Sequence, residues 1–380
     1  MRPKNVTKEN RRFIHGAMII NAPSASLNLG EEGIKRVFTK GQDGNSIAFS
    51  YLSGQFIKAK IKETLIEKGE DLSKPEIIKV SGKKDTPTAS CDPFKYLDDD
   101  LFGYMNIIKD SKHKNPDTTR VAPFKISYFL GKEGDFQKDY AIKKRMDKDE
   151  KTGEIVEIMP HILNDNNRLF ASTSYSGCFS IDVNFSGRFF KGNTAGFKNL
   201  SDKFPIDEYK DFLEYSDEFE FVLKKDIRKK RIQKLLKSFP YLSGGARQAT
   251  VFADLAPKFV VYCVTDSGNH LFQEISSVYE HFNVKSLIEA VTDFKDNLKS
   301  DIYIALKNGF LENKRRAILD AIIKYNNGIN KNGFKFVYIG SDDKGKEKEQ
   351  LSGIKLSGIN EITTKFADEV MPDLFDIKNI

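Results

Sequence analysis

Residues 12–21, RFIHGAMIIN, decide the fold of this chain, because they place aromatic, β-branched and other apolar residues over the length of one strand. The polar or turn-forming residues Asn21, Pro23 and Ser24 end the run. A loop punctuated by glycines follows, and strand character resumes over residues 46–51. The opening of the chain therefore predicts a buried strand that belongs to a sheet.

Residues 54–68, GQFIKAKIKETLIEK, carry the next strong signal. Phe56, Ile57, Ile61 and Leu65 recur at helical spacing, and lysines project from the other faces. This segment predicts an amphipathic helix after the first strands.

The rest of the chain alternates between strand and helix patterns. Strands are predicted over residues 121–130, 174–185, 258–265, 301–305 and 333–339. Helices are predicted over residues 94–108, 207–239, 285–299, 312–326 and 359–369. Residues 70–119 are polar and rich in turns, which predicts an insertion, and the charged residues 132–165 predict a projecting β-hairpin with its turn at residues 151–154. This order indicates an α+β or α/β fold with one interrupted sheet, not two tandem domains.

Composition describes a globular chain. Hydrophobic residues make up 39% of the 380 residues, and 26 glycines bring the total close to the roughly 45–50% of ordinary globular proteins. The longest apolar runs, such as 14–20 and 259–264, are far shorter than the about 20 residues of a membrane helix. Residues 2–12 are polar and charged, with no apolar signal segment after them, and the three scattered cysteines suit a reducing compartment. We expect a cytoplasmic protein without a membrane partner.

Positive charge is concentrated in one segment. Residues 224–247 hold nine lysines and arginines against a single acid, Asp226, whereas the whole chain has a net charge of only +7. Smaller excesses lie in the first seventy residues and over 109–151. Separate basic patches are typical of a polyanion groove that several segments build. The alternative is a set of solvated, lysine-rich faces, and charge alone does not decide between the two.

Familiar catalytic and metal-binding motifs are missing from the sequence. The cysteines and the five histidines lack zinc-finger spacing, and neither GxxxxGK[ST] nor GxSxG occurs. Asp98, Asp99 and Asp100 could bind a cation, although three adjacent carboxylates are more often a solvated turn or a helix start. His15 could reach a ligand on the sheet, or it could be a satisfied structural residue. We therefore expect no catalytic residue, no metal and no cofactor.

Four segments carry a resemblance to a known family. They are residues 15–30 (HGAMIINAPSASLNLG), 50–65 (SYLSGQFIKAKIKETL), 99–105 (DDLFGYM) and 243–247 (SGGAR). In kind and order they resemble the DevR-type "Cas-seven" family, the backbone subunit of type I CRISPR effector complexes (Cascade), and most closely that of subtype I-B. The resemblance covers most of the chain up to residue 340.

The resemblance implies an α+β fold: an RRM-like (ferredoxin-like) palm, a finger-like insertion and a protruding thumb hairpin. The implied boundaries are 1–69 for the first part of the palm, 70–119 for the finger-like insertion, 120–131 for a palm strand, 132–173 for the thumb, and 174–380 for the remaining palm, with a helical insertion and a glycine-rich loop at 206–257. The implied partners are CRISPR RNA, further copies of the chain placed head to tail, other Cascade subunits, and the target DNA strand paired to the guide.

The resemblance also implies which residues contact RNA, because the first helix of the family faces it. The implied RNA-binding residues are Arg11, Arg12, His15, Asn28, Ser53, Gln55, Lys58, Lys60, Gly244, Gly245, Arg247 and Gln248. Helix amides, lysines, glycine backbone and a forked guanidinium all suit phosphate. Ile158 and Met159 on the thumb are implied to wedge between bases. Without the resemblance, the helix would be a solvated face, the glycine segment a flexible loop, and the thumb residues ordinary hairpin packing.

Two other functions stay open. One is a metal-dependent or histidine-assisted endoribonuclease of the same RRM-like superfamily, with Asp100 or His15 in the reaction. The other is a general single-strand RNA binder unrelated to CRISPR.

Overall fold

The computed structural model describes residues 10–25, 27–30, 33–40, 44–78, 86–106, 113–133, 136–138, 141–163, 169–246, 252–276, 280, 282–329, 333–338 and 358–375. The strands are β1 (Phe13–Ala25), β2 (Leu29–Gly30), β3 (Gly33–Ile34), β4 (Arg36–Lys40), β5 (Ser46–Leu52), β6 (Glu76–Ile78), β7 (Thr86–Thr88), β8 (Tyr104–Asn106), β9 (Thr118–Arg120), β10 (Phe124–Ile126), β11 (Phe129–Glu133), β12 (Phe136–Lys138), β13 (Ala141–Lys148), β14 (Ile155–Leu163), β15 (Leu169–Asp182), β16 (Arg188–Phe190), β17 (Leu213–Ser216), β18 (Glu220–Leu223), β19 (Pro257–Thr265), β20 (Ile302–Leu306) and β21 (Phe336–Val337). The α-helices are α1 (Gly54–Glu67), α2 (Leu97–Leu101), α3 (Lys225–Ser238), α4 (Val284–Asp293), α5 (Glu312–Gly328), α6 (Ile359–Lys365) and α7 (Met371–Phe375).

A ten-stranded sheet forms the centre of the molecule. Its strand order is β21–β20–β19–β1–β15–β11–β5–β4, and β10 and β12 also pair with β15. β1 pairs antiparallel with both neighbours, so that Phe13 lies opposite Asp182 on one side and Thr265 on the other. The three segments with the clearest strand patterns thus lie side by side at the middle of the sheet.

β1 is buried on both faces, which explains its nearly continuous apolar sequence. Ile14 and Met18 point into the main hydrophobic core, which α1, α3, α6 and α7 cover. Ala17 and Ile19 point into a second core on the opposite face, beneath α4 and α5. Helices therefore lie on both faces of the sheet, and the predicted mixed α+β class is confirmed.

The segment after β15 differs from its prediction. The sequence predicts helix over residues 207–239, in one piece or two, and the structure has a 3-10 helix at Ile206–Phe212 and the α-helix α3, with β17 and β18 between them. β18 pairs with β16 and is buried throughout, and the Glu220 carboxylate accepts a hydrogen bond from Arg188 Nη1 at 2.7 Å. The backbone pairing with β16 and this buried ion pair stabilise a strand here more than the local sequence favours a helix.

The predicted helix over residues 94–108 is also shorter in the structure. α2 ends before Gly103, whose φ is +70°. A Cβ at Gly103 would lie 2.4 Å from the Arg120 carbonyl oxygen. The chain turns sharply there because only glycine fits, and β8 follows.

The predicted hairpin is present as β13 and β14, which pair antiparallel with each other and form a sheet of their own. The turn is wider than expected, since Asp149 N donates to the Glu154 carbonyl at 2.9 Å. The Asp149 carboxylate also accepts from the amides of Lys151 and Thr152. The backbone amides of the hairpin tip therefore find hydrogen-bond acceptors within the turn itself.

The last described segment completes the main core. α6 and α7 are joined by a π-helical turn over Phe366–Val370, and the Phe366 ring stacks on Tyr262 of β19 with centroids 5.3 Å apart. The predicted helix over residues 359–369 is thus confirmed and extended to Phe375. Among the helices of the described segments, none is both long and apolar enough to cross a membrane.

Candidate nucleic-acid interface

The amino terminus of α1 is built as a capped helix end beside β10. Ser53 Oγ accepts a hydrogen bond from the Phe56 amide at 3.2 Å. Gly54 approaches β10 so closely that a Cβ would lie 2.9 Å from the Ile126 carbonyl oxygen. Gln55 is exposed on the first turn. Amides at a helix start lack intrahelical partners and favour anions, so this end suits a phosphate.

Lys58 lies half-buried on one flank of α1. Its Nζ is 6.0 Å from the centroid of the Phe124 ring, at the edge of the main core. Burial, together with the positive charge of Lys62, lowers the pKa of Lys58 below its usual value. The side chain is therefore a partly desolvated cation and not a solvated one.

Lys60 lies on the other flank. Its Nζ donates to both carboxylate oxygens of Glu63, at 2.7 and 2.6 Å, and its side chain is 15% exposed. The ammonium is also 5.8 Å from the Phe56 ring centroid. Glu63 itself is about half exposed, so this pair opens onto solvent at the carboxylate side.

The two lysines do not share one surface. Residues two apart on an α-helix are separated by about 200° around its axis. The buried stripe of Ile57 and Ile61 lies between their flanks. The structure therefore separates Lys58 and Lys60, which the resemblance treats as one RNA-facing pair.

The glycine-rich loop lies against the Lys60 flank. Gly244 and Gly245 have φ values of +89° and +127°, a backbone that other residues rarely adopt. A Cβ at Gly244 would lie 3.3 Å from Lys60 Nζ. Two residues later, Ala246 N donates to the Leu27 carbonyl at 3.0 Å. The segment after β1, the loop and α1 thus meet at one place.

Asn28 holds the segment after β1 in position. It is buried, its Nδ2 donates to the Tyr51 carbonyl at 3.1 Å, and its own carbonyl accepts from Lys35 N at 2.9 Å. Its side chain therefore orders the backbone next to the loop. We call the half-buried surface of Lys60, Gly244 and Gly245, with the buried Leu27 and Asn28 beneath it, the Lys60 surface.

Arg11 and Arg12 lie at the opposite end of β1. The strand has 13 residues, which corresponds to about 40 Å between its ends. The Arg11 guanidinium lies over the Phe13 ring at 4.9 Å. Burial lowers the pKa of Arg12, and the Asp266 carboxylate partly opposes this shift. These arginines are thus far from Leu27 and do not contribute to the Lys60 surface.

His15 is fully buried in the second core region. Its Nε2 donates to the Ser267 carbonyl at 2.9 Å, and its ring lies edge to face with His270 at 4.9 Å. Burial lowers the pKa of His15 to about 4, so the ring is neutral near pH 7. In this conformation the ring offers no surface to a ligand.

Four other implied residues lie outside the described part of the structure, either entirely or by their side chains. Arg247 and Gln248 lie outside the described residues. The backbone of β14 pairs Ile158 with Arg145, whereas the side chains of Ile158 and Met159 also lie outside the described part. Base displacement by the thumb stays a prediction.

The carboxylates of Asp98, Asp99 and Asp100 are buried on the first turn of α2, so the helix start is confirmed and a solvated turn is wrong. Asp98 accepts from Lys62 Nζ and from Ser73 N, each at 2.9 Å. Together these contacts tie the carboxylate to α1 and to the segment before β6. No cluster that could hold a metal ion occurs among the described histidines, cysteines and acids.

Asp100 is the centre of the acidic cluster. Arg120 Nη2 donates to one carboxylate oxygen at 2.6 Å, and Arg231 Nη1 donates to the other at 2.8 Å. Gly187 N donates to the first oxygen as well, at 3.0 Å. Arg231 comes from the basic segment of α3, as does the buried Arg228, which donates to backbone carbonyls. Part of the positive charge that suggested a groove is therefore structural.

Sequence reasoning missed two features of this region. The i,i+3 spacing of Lys60 and Glu63 could have predicted their ion pair. No local signal could have predicted that Leu27 meets Ala246, because these residues lie more than two hundred positions apart and meet only through the fold.

A sequence profile of the family described as "CRISPR-associated negative auto-regulator DevR/Csa2" matches residues 35–282. The chain belongs to the DevR/Csa2 family. The resemblance found in the sequence is thus confirmed at the level of the family, and subtype I-B stays a prediction. The family match includes α1, the carboxylate cluster and the glycine-rich loop, whereas β1 precedes it.

Solved structures similar to this DevR/Csa2 protein have low sequence identity. A chain from a "CRISPR RNA-guided surveillance complex, pre-nicking" is 10% identical, with a TM-score of 0.47, over 79% of this chain and 93% of that chain. A chain from a "CRISPR RNA-guided surveillance complex" has 10% identity and a TM-score of 0.44 over 79% and 91%. A chain from a "Type IV-B CRISPR Complex" has 10% identity and a TM-score of 0.30 over 68% and 92%. No curated protein matches the sequence.

Proposed function

We propose that this DevR/Csa2 protein is a CRISPR RNA-binding backbone subunit of a type I interference complex, Cascade. Copies lie head to tail along the guide RNA, contact other Cascade subunits and present the guide for pairing with target DNA. Family membership supports the class of assembly. The observation that carries the RNA-binding role is the meeting of Lys60 with the Gly244–Gly245 loop.

The Lys60 surface has the chemistry that sequence-independent binding of an RNA backbone needs. Phosphates supply most of the affinity, and cations and close backbone approach accommodate them. The Glu63 partner of Lys60 is about half exposed, and such i,i+3 pairs contribute little net free energy. A phosphate can therefore replace the Glu63 carboxylate at low cost.

The order of elements supports an RRM-like palm. With the intervening strands β2–β9, β12–β14 and β16–β18 and helix α2 left out, the chain runs strand, helix, strand, strand, helix, strand. These elements are β1, α1, β10 with β11, β15, α3 and β19. In the sheet, β1 and β15 lie at the centre, β19 flanks β1, and β10 and β11 flank β15, all antiparallel. This order supports the proposal of a ferredoxin-like βαββαβ unit with large insertions.

The hairpin suits a contact with the next copy. Met146 and Ile155 are 56% and 69% exposed, and an isolated two-stranded sheet is only marginally stable. Apolar side chains on such a hairpin gain by packing on a neighbour, and a head-to-tail contact of this kind does not close. Replacing Met146 and Ile155 by serine should leave affinity for a short RNA within about twofold and reduce the number of copies on a long RNA in sedimentation. Strict one-to-one binding of the unaltered protein to long RNA would contradict this part of the proposal.

We further propose that the chain has no catalytic activity of its own. Each carboxylate of the acidic cluster accepts internal hydrogen bonds, and His15 is buried and neutral. Labelled repeat RNA should stay intact with and without magnesium. Specific cleavage that His15→Gln abolishes would favour the endoribonuclease instead.

The nucleic acid that co-purifies with the protein tests the proposed function. We expect RNA of one size class that contains CRISPR spacer sequence when the protein is expressed beside a CRISPR array. Random cellular RNA in place of spacer RNA would indicate a general single-strand binder. Protein that carries no RNA and binds none afterwards would overturn the proposal.

A further inference from the structure

β4 carries an exposed aromatic ring at the edge of the central sheet. In the strand order of the described residues, β4 is the last strand beyond β5. Phe38 is 61% exposed, more than any other aromatic residue on the described strands. The Arg36 guanidinium lies over this ring, 5.9 Å from its centroid. A ring this exposed costs free energy in water unless something covers it.

The charge around Phe38 favours a polyanion. β4 contains Arg36 and Lys40 and no carboxylate, and Lys35 immediately precedes it. Exposed aromatic rings also occur elsewhere, for example Phe219, but residues 207–220 hold seven carboxylates against one lysine. Exposure is common to both places, whereas the charges on β4 itself are all positive.

A path of direct contacts connects β4 to the Lys60 surface. Gly244 lies against Lys60, and Ala246 N donates to the Leu27 carbonyl. The next residue, Asn28, accepts from Lys35 N at 2.9 Å, and Lys35 leads directly into β4. Leu27 and Asn28 are buried, so these contacts run beneath the surface and place β4 near the Lys60 surface. A single strand bound at the Lys60 surface therefore lies near β4.

We infer that Phe38 is a base-stacking platform for single-stranded nucleic acid, with Arg36 on one side of the ring and a base against its free side. Aromatic rings bind bases of any sequence because every base has a π-face, and nearby arginine adds a cation–π contribution. The inference deepens the proposed function and rests on it, since the strand reaches β4 from the Lys60 surface. It assigns base contact and phosphate contact to different residues.

Tryptophan fluorescence tests the stacking directly, because the chain contains no tryptophan. In Phe38→Trp the single indole reports on the surface of β4. Saturation with a short single-stranded RNA should quench its emission, and saturation with an abasic strand of equal phosphate count should not. Phe219→Trp is the matched control in the acidic segment, and neither strand should quench it.

Affinity separates base stacking from phosphate binding. Phe38→Ala should weaken RNA binding about 5- to 150-fold, as expected for the loss of one stacked base, and leave the affinity for the abasic strand unchanged. Phe38→Tyr, which keeps a ring, should restore RNA binding. Circular dichroism should show the same fold for all variants.

Three outcomes would overturn the inference. If the unaltered protein binds neither strand, the proposed function itself fails, and this inference fails with it. If both strands bind, but Phe38→Ala loses no affinity and Phe38→Trp is not quenched, only the platform is wrong. If Phe38→Ala instead reduces self-association in sedimentation without RNA and leaves short-RNA affinity intact, the ring packs on a second copy of the chain.

Discussion

The acidic cluster and the Lys60 surface were both candidate binding sites from the sequence. In the structure, their charged groups have different kinds of partners. At the acidic cluster, the Asp100 carboxylate is buried, and two arginines and an amide donate to it. At the Lys60 surface, the cation has one exposed carboxylate partner and lies beside Gly244. Removing a partner from a buried, fully paired charge destabilises a fold, whereas a charge with one exchangeable surface partner is available to a ligand.

The largest effect should come from breaking the buried network. Arg231→Ala removes a guanidinium that donates to Asp100 and to the carbonyls of Pro93 and Phe94. Arg120 still pairs with Asp100, but one Asp100 oxygen and two buried carbonyls lose their donor, which should lower the free energy of unfolding by about 3 kcal/mol in urea titrations. Lys230→Ala, an exposed neighbour on α3, should cost less than about 0.5 kcal/mol. Equal losses in the two variants would mean that the network is not what stabilises this region.

The second effect is a pH dependence at the same cluster. Burial and the Asp98 carboxylate raise the pKa of Asp99 to about 6, above its unfolded value. The folded state then holds a proton that the unfolded state has lost, so stability decreases as pH rises from about 4 to about 6, by roughly 3 kcal/mol. Asp99→Asn should remove this decrease in unfolding titrations across that range. An unchanged slope would contradict the burial argument.

His15 should act in the opposite direction over almost the same range. Its lowered pKa of about 4 means that the unfolded state binds a proton between about pH 4 and 6.5 that the folded state does not. His15 therefore makes stability increase with pH there. His15→Gln, whose amide can still donate to Ser267, should flatten that increase in the same titrations. A variant with the unaltered pH profile would show that the ring is not buried in solution.

Lys62 tests the comparison between the two regions, because it lies on α1 like Lys60 but pairs with the acidic cluster. Its Nζ donates to Asp98, whose carboxylate is fully buried, and its own side chain is 40% exposed. Lys62→Ala should cost about 1–2 kcal/mol of stability and leave RNA affinity within about twofold. The converse result, lost RNA binding with intact stability, would move the RNA surface to the other flank of α1.

The sequence predicted the elements of the fold better than the partners of its charges. β1, α1, β15 and β19 follow from local apolar periods, and their predicted positions are confirmed. The strands at 213–223 could not be predicted, because the pairing with β16 and the Glu220–Arg188 contact that hold them come from more distant sequence.

The candidate site was predicted only in part, for the same reason. Lys60 and Gly244 lie side by side, whereas Arg11, Arg12 and His15 lie at the far end of β1, and RNA contact by each of these residues stays a prediction. Residue type gives the charge of Asp100 or Arg231, but only the tertiary fold determines that the two side chains pair with each other in the interior.

The salt dependence of RNA binding tests the Lys60 surface most directly. Affinity for a single-stranded RNA of fixed length is measured at several salt concentrations for the unaltered protein, Lys60→Ala and Lys230→Ala. Lys60→Ala should weaken binding by roughly 1 kcal/mol, about fivefold, and reduce the slope of log affinity against log salt by about 0.7, whereas Lys230→Ala should change neither. If Lys230→Ala reduces affinity and slope while Lys60→Ala does not, the groove lies along α3 and the account of the Lys60 surface is wrong.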